Sequence, residues 1–241
     1  MRVKLTLAYN GAYFFGSQIQ KENPQTVMGV LETALIKIGI TTHLHFSGRT
    51  DRGVHASAQV IHFDLPPYWK DVQKLHDILA QHLPSSTHIR HLSEVNSDFH
   101  ARYSAKKRLY RYIISTNIPN PFEADFVSFV PSLDLEKVKE AITLFEGEHN
   151  FEYFMKTGSE VKSFVRTIYK TRVYTHKGKT VLTFEANGFL RAQIRLMVGF
   201  LLSISAHKHT KEELLEQLLR HHKYNVKLAP HNGLYLAKIS Y

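Results

Sequence analysis

The chain has 241 residues, with 31 Lys and Arg against 21 Asp and Glu, a formal net charge of +10 and no cysteine. The missing cysteine excludes disulfides, thiolate metal centres and cysteine nucleophiles, and the longest apolar run, Leu196 to Ile204, falls far short of the ~20 residues that span a bilayer. A basic balance accompanied by 12 Tyr and 15 Phe points to a polyanion that offers phosphates to cations and bases to rings.

Val3, Leu5, Leu7 and Tyr9 alternate with polar neighbours, which predicts a half-buried strand closed by the turn pair Asn10-Gly11. These first residues form no apolar leader, so a cytoplasmic location is expected. A loop with Phe14, Phe15, Gly16, Ser17 and Gln18 follows, and then Val27, Val30, Leu31, Ala34, Leu35 and Ile38 recur at helical spacing. Two short alternating runs, His43 to Ser47 and Ala58 to Phe63, read as strands. Val72, Leu75, Ile78, Leu79 and Leu83 mark a second helix that Pro84 ends, before a strand near Ile89 to Leu92.

The pattern then repeats, with one extra helix. Leu109 to Ser115 reads as a strand, and Leu135, Val138, Ile142 and Phe145 as a helix started by Asp134. Tyr169 to Tyr174 and Thr180 to Glu185 flank Lys177-Gly178 as a hairpin. A long helix is expected from about Gly188 to Ala206, a charged helix from Lys211 to Leu219, and a last strand from Leu234 to Tyr241. Strand, helix, strand, strand, helix, strand is the split βαβ unit of ferredoxin-like and RRM-like folds. The expectation is an α+β protein of two such halves, whose antiparallel sheets join around a central cleft. Residues 1–100 form the half that carries the loop described next, and residues 101–241 complete the cleft.

That loop is Gly48-Arg49-Thr50-Asp51-Arg52-Gly53-Val54-His55-Ala56, a carboxylate between two guanidiniums in a glycine-bounded turn. Hydrogen bonds from arginines and backbone amides would keep such an Asp ionised and aimed, as a nucleophile or a base. An Asp beside Gly and Thr also serves plain turns, by bonding its own backbone. Asp98 to Tyr112 concentrates Arg and Lys among aromatics, the mixture that holds phosphates while stacking a base. Arg191 and Arg195 are spaced to share the edge of the most apolar helix. A buried cation there needs a counter-ion, for which Asp51 is the candidate.

The stretch Gly48-Arg49-Thr50-Asp51-x-Gly53-Val54-His55-Ala56 resembles the signature of the tRNA pseudouridine synthase A family. The likeness continues through Phe99-His100-Ala101-Arg102, Tyr110-Arg111-Tyr112, the segment from Asn187 to Arg195, and Gly233-Leu234-Tyr235-Leu236, so it covers nearly the whole chain. The resemblance implies a cofactor-free isomerase that acts on tRNA uridines at the 3′ side of the anticodon arm, as a homodimer with one tRNA reaching both subunits. By residue it implies that Asp51 is catalytic, that Tyr110 stacks the target uracil with Tyr112 in support, and that Arg195 pairs with Asp51. Arg49, His100, Arg102 and Arg191 would join Tyr110 in holding substrate. Asp51 attacks C1′ in one mechanism and removes a sugar proton to give a glycal in the other, and both stay open. The chain departs from the family pattern at Asn10 (usually Asp), Ser17 (usually Trp) and Arg52 (often small).

A non-catalytic RNA-binding platform and an acid–base enzyme for a small molecule are the rival readings. Sixteen histidines raise a metal, but His43-x-His45, His207-x-His209 and His221-His222 each offer two ligands and no evident third. No metal is expected.

Overall fold

Strand β1 (Arg2–Tyr9) buries every second residue, as its alternation requires, with Val3, Leu5 and Leu7 fully enclosed. The computed structural model describes residues 1–241 except Lys21, Glu22, Pro24, Thr157, Ser159 and Glu160. After β1 come α1 (Val27–Lys37), β2 (His45–Phe46), β3 (His55–Asp64), α2 (Val72–His82) and β4 (Thr87–Val95). The next elements are β5 (Lys107–Ser115), β6 (Ser128–Phe129), α3 (Leu135–Ile142), β7 (Gly147–Asn150), β8 (Val165–His176) and β9 (Lys179–Ala186). Helices α4 (Gln193–Ser205) and α5 (Lys211–Leu218) precede the last strand, β10 (Leu234–Ser240).

Backbone contacts divide the chain into one unit of Met1–Lys106 with Tyr235–Tyr241, and another of Lys107–Leu234. The sequence pattern divided the chain near residue 100 and left the final strand with the second half. In space the residues of that strand after Leu234 group with the first unit, because Tyr235 and Leu236 lie in parallel register with His55 and Ala56 of β3.

In the first unit β4, β1 and β3 are neighbours in antiparallel register, and the outer edge of β3 is shared. β2 covers its Ile61–His62 end and β10 its His55–Ala56 end. The order β4-β1-β3-β2 with all three pairings antiparallel is the split βαβ arrangement expected. Thr26 and Asp71 cap α1 and α2 by accepting the N–H groups of Gly29 and Lys74. Each helix then buries one stripe: Val27, Leu31, Ala34 and Leu35 in α1, and Leu75 and Leu79 in α2.

In the second unit β5, β9, β8 and β7 run antiparallel in that order, with the two-residue β6 parallel to the end of β5. The β8–β9 hairpin turns at Lys177 and Gly178, both at positive φ (48° and 72°), as a tight two-residue hairpin demands. Tyr110, Tyr112 and Ile114 of β5, with Leu182, Phe184 and Ala186 of β9, fill the side facing the core. Helix α4 is buried almost all round, through Ile194, Met197, Val198, Phe200, Leu201 and Ile204. Its start corrects the sequence reading. The helix begins at Gln193 rather than near Gly188, because Ala192 adopts a left-handed conformation (φ 59°, ψ 8°) that an α-helix cannot contain. β6 and β7 were not foreseen; two and four residues are too few for a periodicity to register.

Candidate active site

Asp51 lies in the connection from β2 to β3, and the backbone on either side of it is tied to buried polar groups. Thr50 is held three ways. Its N–H donates to Ser17 Oγ at 2.9 Å, its carbonyl accepts from the Ser17 N–H at 3.1 Å, and its hydroxyl lies 2.8 Å from the Tyr9 hydroxyl. Ser17 is wholly buried, and burial pushes the Tyr9 phenol up to about 12, so this ring stays neutral. Gly16 permits the approach at φ +95°, since a Cβ there would lie 2.9 Å from the Thr50 carbonyl oxygen.

Beyond Asp51, the Val54 N–H closes a turn onto the Asp51 carbonyl at 3.1 Å, and the Gly53 N–H reaches the Phe14 carbonyl at 3.3 Å. His55 follows, buried, with Nδ1 accepting the Gly11 N–H at 2.9 Å and its ring stacked on Tyr235 at 4.6 Å. At Gly11 a Cβ would come within 2.2 Å of the Val54 carbonyl oxygen, so only glycine fits. The buried Gln59 amide donates to the Gly48 carbonyl at 2.7 Å. The result is a half-buried carboxylate on a backbone that cannot easily move.

The two neighbouring arginines do not form the symmetrical bracket that their spacing suggested. Arg52 lays its guanidinium over the Phe15 ring, 4.3 Å from the centroid. Arg49 is exposed and has no partner among the described residues, so it is a cation available to a ligand. Ser17, where the related pattern usually has Trp, does not face outward; its hydroxyl is spent on Thr50.

In the second unit Tyr110 is buried, with its ring edge-on to Phe189 at 5.2 Å. Tyr112 is fully buried and donates its hydroxyl to the Pro230 carbonyl at 2.9 Å, with its phenol pushed up to about 12 by burial. Arg195 stands in the first turn of α4, its Nε donating to the Ala229 carbonyl at 2.7 Å while its own carbonyl accepts the Ala229 N–H at 3.1 Å. The stretch Ala229–Pro230 thus fixes both side chains. Arg191 precedes the helix, its side chain exposed and its carbonyl accepting the Lys156 N–H at 3.1 Å, so it does not share a helical face with Arg195. The turn between them is braced by Gln193, whose Oε1 accepts the Leu190 N–H at 2.7 Å. A left-handed alanine at this position is strain of the kind that folds store near functional sites.

His100 and Arg102 lie in the first unit. His100 is half-buried, and its Nδ1 accepts the N–H groups of Arg102 (3.1 Å) and Tyr103 (3.3 Å). Arg102 is exposed, 5.8 Å from the Tyr103 ring centroid. Sequence spacing paired His43 with His45, but the fold gathers His45, His62 and His100, with ring nitrogens within 4.8 Å of one another. These rings are poorly set to share an ion. His45 and His62 are stacked at 4.6 Å with planes 14° apart, so their in-plane lone pairs run side by side. His62 Nδ1 accepts the Ala101 N–H at 3.1 Å, which with the His100 bonds leaves the proton of each neutral ring on Nε2. Burial and the neighbouring rings lower His62 to about 4 and lower His100 as well. The cluster ties the turn after β4 to β3 through the His62 bond to the Ala101 N–H. Sequence reasoning missed it, along with the roles of Tyr9 and Ser17, because the contacts that gather these residues, His62 with Ala101 and Thr50 with Tyr9 and Ser17, join positions far apart in the chain.

Among the described residues no helix is long and apolar enough to cross a membrane. The tRNA pseudouridine synthase family profile matches residues 6–104 and 141–241. A tRNA pseudouridine synthase A from Campylobacter jejuni (strain RM1221) is 38% identical over the whole length of both chains. One from Wolinella succinogenes is 39% identical over 98% of this chain and 92% of its own. Another, from Helicobacter hepaticus, is 37% identical over 99% and 98%. Matches of this extent, on a chain whose Asp51 loop is built as described, show that it belongs to the tRNA pseudouridine synthase family.

Proposed function

We propose that this protein isomerises uridine to pseudouridine in tRNA, with Asp51 as the reacting carboxylate. The reaction breaks the N1–C1′ bond, turns the freed base and joins C5 to C1′, while the C5 proton is lost and N1 gains one. Atoms and electrons balance with no redox partner or energy source, which suits a chain without a cofactor motif. The observation that carries the reading is the clamped Asp51 loop, in which Thr50 is held by Tyr9 and Ser17 and the following turn is anchored at His55. Binding energy spent on holding a carboxylate in one place in the free enzyme need not be spent in the transition state.

Arg195 is the proposed counter-ion of Asp51, its guanidinium plane set by Ala229. Tyr110 is the proposed stacking platform for the flipped base, and Arg49, His100, Arg102 and Arg191 its substrate contacts. Extruding a stacked base costs a few kcal/mol, about what several phosphate contacts return. The family resemblance adds the 3′ side of the anticodon arm as target, a homodimer as the working form, and the cytoplasm as the location.

Incubation with an unmodified tRNA transcript, followed by mapping of pseudouridine, tests the reading. Conversion on that arm by the wild type, lost in Asp51→Ala with binding retained, is expected. Binding without conversion by the wild type would make the protein an RNA-binding platform instead.

A further inference from the structure

The sheet of the second unit has one side on the core and one side open. On the open side, Arg111 of β5, Thr183 of β9 and Arg172 of β8 stand in one row across the strands, in direct register. In the next row Leu109 and Glu185 are in register, with Lys170 opposite Glu185 on β8. With Tyr174 these residues line a shallow concavity of about 270 Å³. Arg111, Lys170 and Arg172 are all exposed, and beyond the strand ladders none of their side chains makes an ion pair or hydrogen bond among the described residues. Glu185, the carboxylate of the group, is already 3.2 Å from Lys107 Nζ.

From this arrangement we propose that the open face of the β5-β9-β8 sheet is a docking surface for the phosphodiester backbone of the RNA substrate, formed by residues other than those of the Asp51 loop. The proposal rests on the tRNA reading above. Three features select a nucleic-acid strand. The cations are unpaired, so no ion pair must break when an anion arrives. They are spread over strands about 10 Å apart from β5 to β8, a span that suits successive phosphates better than one small anion. Aromatic side chains flank them, Tyr174 (41% exposed) within the concavity and Tyr169 (45% exposed) beneath Lys107, whose Nζ is 5.1 Å from the ring centroid. A second copy of this chain is a poor occupant, because a two-fold contact would set this positive face against itself.

The test compares Arg111→Ala/Arg172→Ala with Lys37→Ala/Lys70→Ala, a pair of exposed lysines in the first unit that removes the same charge elsewhere. Affinity for an unmodified tRNA transcript is measured from low to high salt, with the single-turnover rate of pseudouridine formation at saturating tRNA and the sedimentation of each protein. The arginine pair is expected to weaken binding about 10-fold near 0.1 M salt and to reduce the slope of log affinity against log salt by about 1 to 2. The saturated rate should not change, and Arg111→Glu/Arg172→Glu should weaken binding further. An unchanged slope, or an equal loss in the lysine pair, overturns the proposal. So does a changed sedimentation with unchanged affinity, which would assign the face to a contact between protein chains. Failure of the wild type to bind tRNA at all would instead sink the tRNA reading, and this surface with it.

Discussion

The Asp51 loop and the start of α4 solve the same problem by different means, since each must hold one charged side chain still. Around Asp51 the backbone has no regular structure, and its order comes from buried side chains, Tyr9, Ser17, His55 and Gln59, that bond the loop directly. Around Arg195 the order comes from a helix buried nearly all round, with one strained residue and two bonds to Ala229 at its lip. Apolar burial is strong but non-directional, whereas a hydrogen bond fixes a position to a few tenths of an ångström at a smaller net gain. Damage to the second region should therefore appear first as lost stability, and damage to the first as lost rate.

The largest effect on folding is expected for Leu201→Ala in α4, a fully buried side chain. Its cost should be about 2–5 kcal/mol, read as a fall in thermal midpoint of roughly 2–4 °C per kcal/mol, while the protein that remains folded keeps its saturated rate. An equal loss of rate at temperatures where the variant is folded would erase the contrast. Ser17→Ala is the matching change in the first region. It strands the buried Thr50 N–H, at about 1–3 kcal/mol, and frees one side of the Asp51 loop. The saturated rate should fall about 10-fold with little change in tRNA affinity, and Ser17→Thr, which keeps the hydroxyl, should recover part of it. A loss of stability with full rate would make Ser17 a purely structural residue.

Acid should sharpen the comparison further, because His62 belongs to the first unit. Its folded value of about 4 lies below the ordinary 6.5. As pH falls from about 6.5 to 4 the unfolded chain therefore takes up the proton first, and stability is lost across that window. Protonation would also set an N–H against the Ala101 N–H that Nδ1 now accepts. The loss from this group should not exceed about 3 kcal/mol, and urea midpoints of His62→Gln should fall less steeply with pH than those of the wild type. A smaller effect is expected of EDTA, which should leave the rate unchanged, and abolished activity would overturn the metal-free mechanism.

How far these two regions were legible in the sequence follows from the same contrast. The alternation of Val3, Leu5, Leu7 and Tyr9 and the stripes of α1 and α2 are local periodicities, and the Lys177-Gly178 turn is local chemistry, so all of them could be read directly. Asp51 stood out because its whole motif is contiguous. The residues that hold it did not, for Ser17 and Tyr9 meet Thr50 across 33 and 41 positions, and no periodicity marks such a pair. The false start of α4 has a different cause. Alanine is the best helix former, and nothing local foretells that Ala192 turns left-handed to present Arg191 and Gln193 differently. Tertiary context overrode propensity at that position.

The most direct test of the account is the single-turnover rate of Asp51→Asn on unmodified tRNA, measured beside its tRNA affinity. The amide keeps the size of the side chain and much of its hydrogen bonding but removes the charge and the reactive oxygen pair. The expected result is a rate lower by more than about 10³-fold with affinity within a factor of about three of the wild type. A variant that still forms pseudouridine at a tenth of the wild-type rate or faster would contradict the assignment of Asp51 as the reacting group.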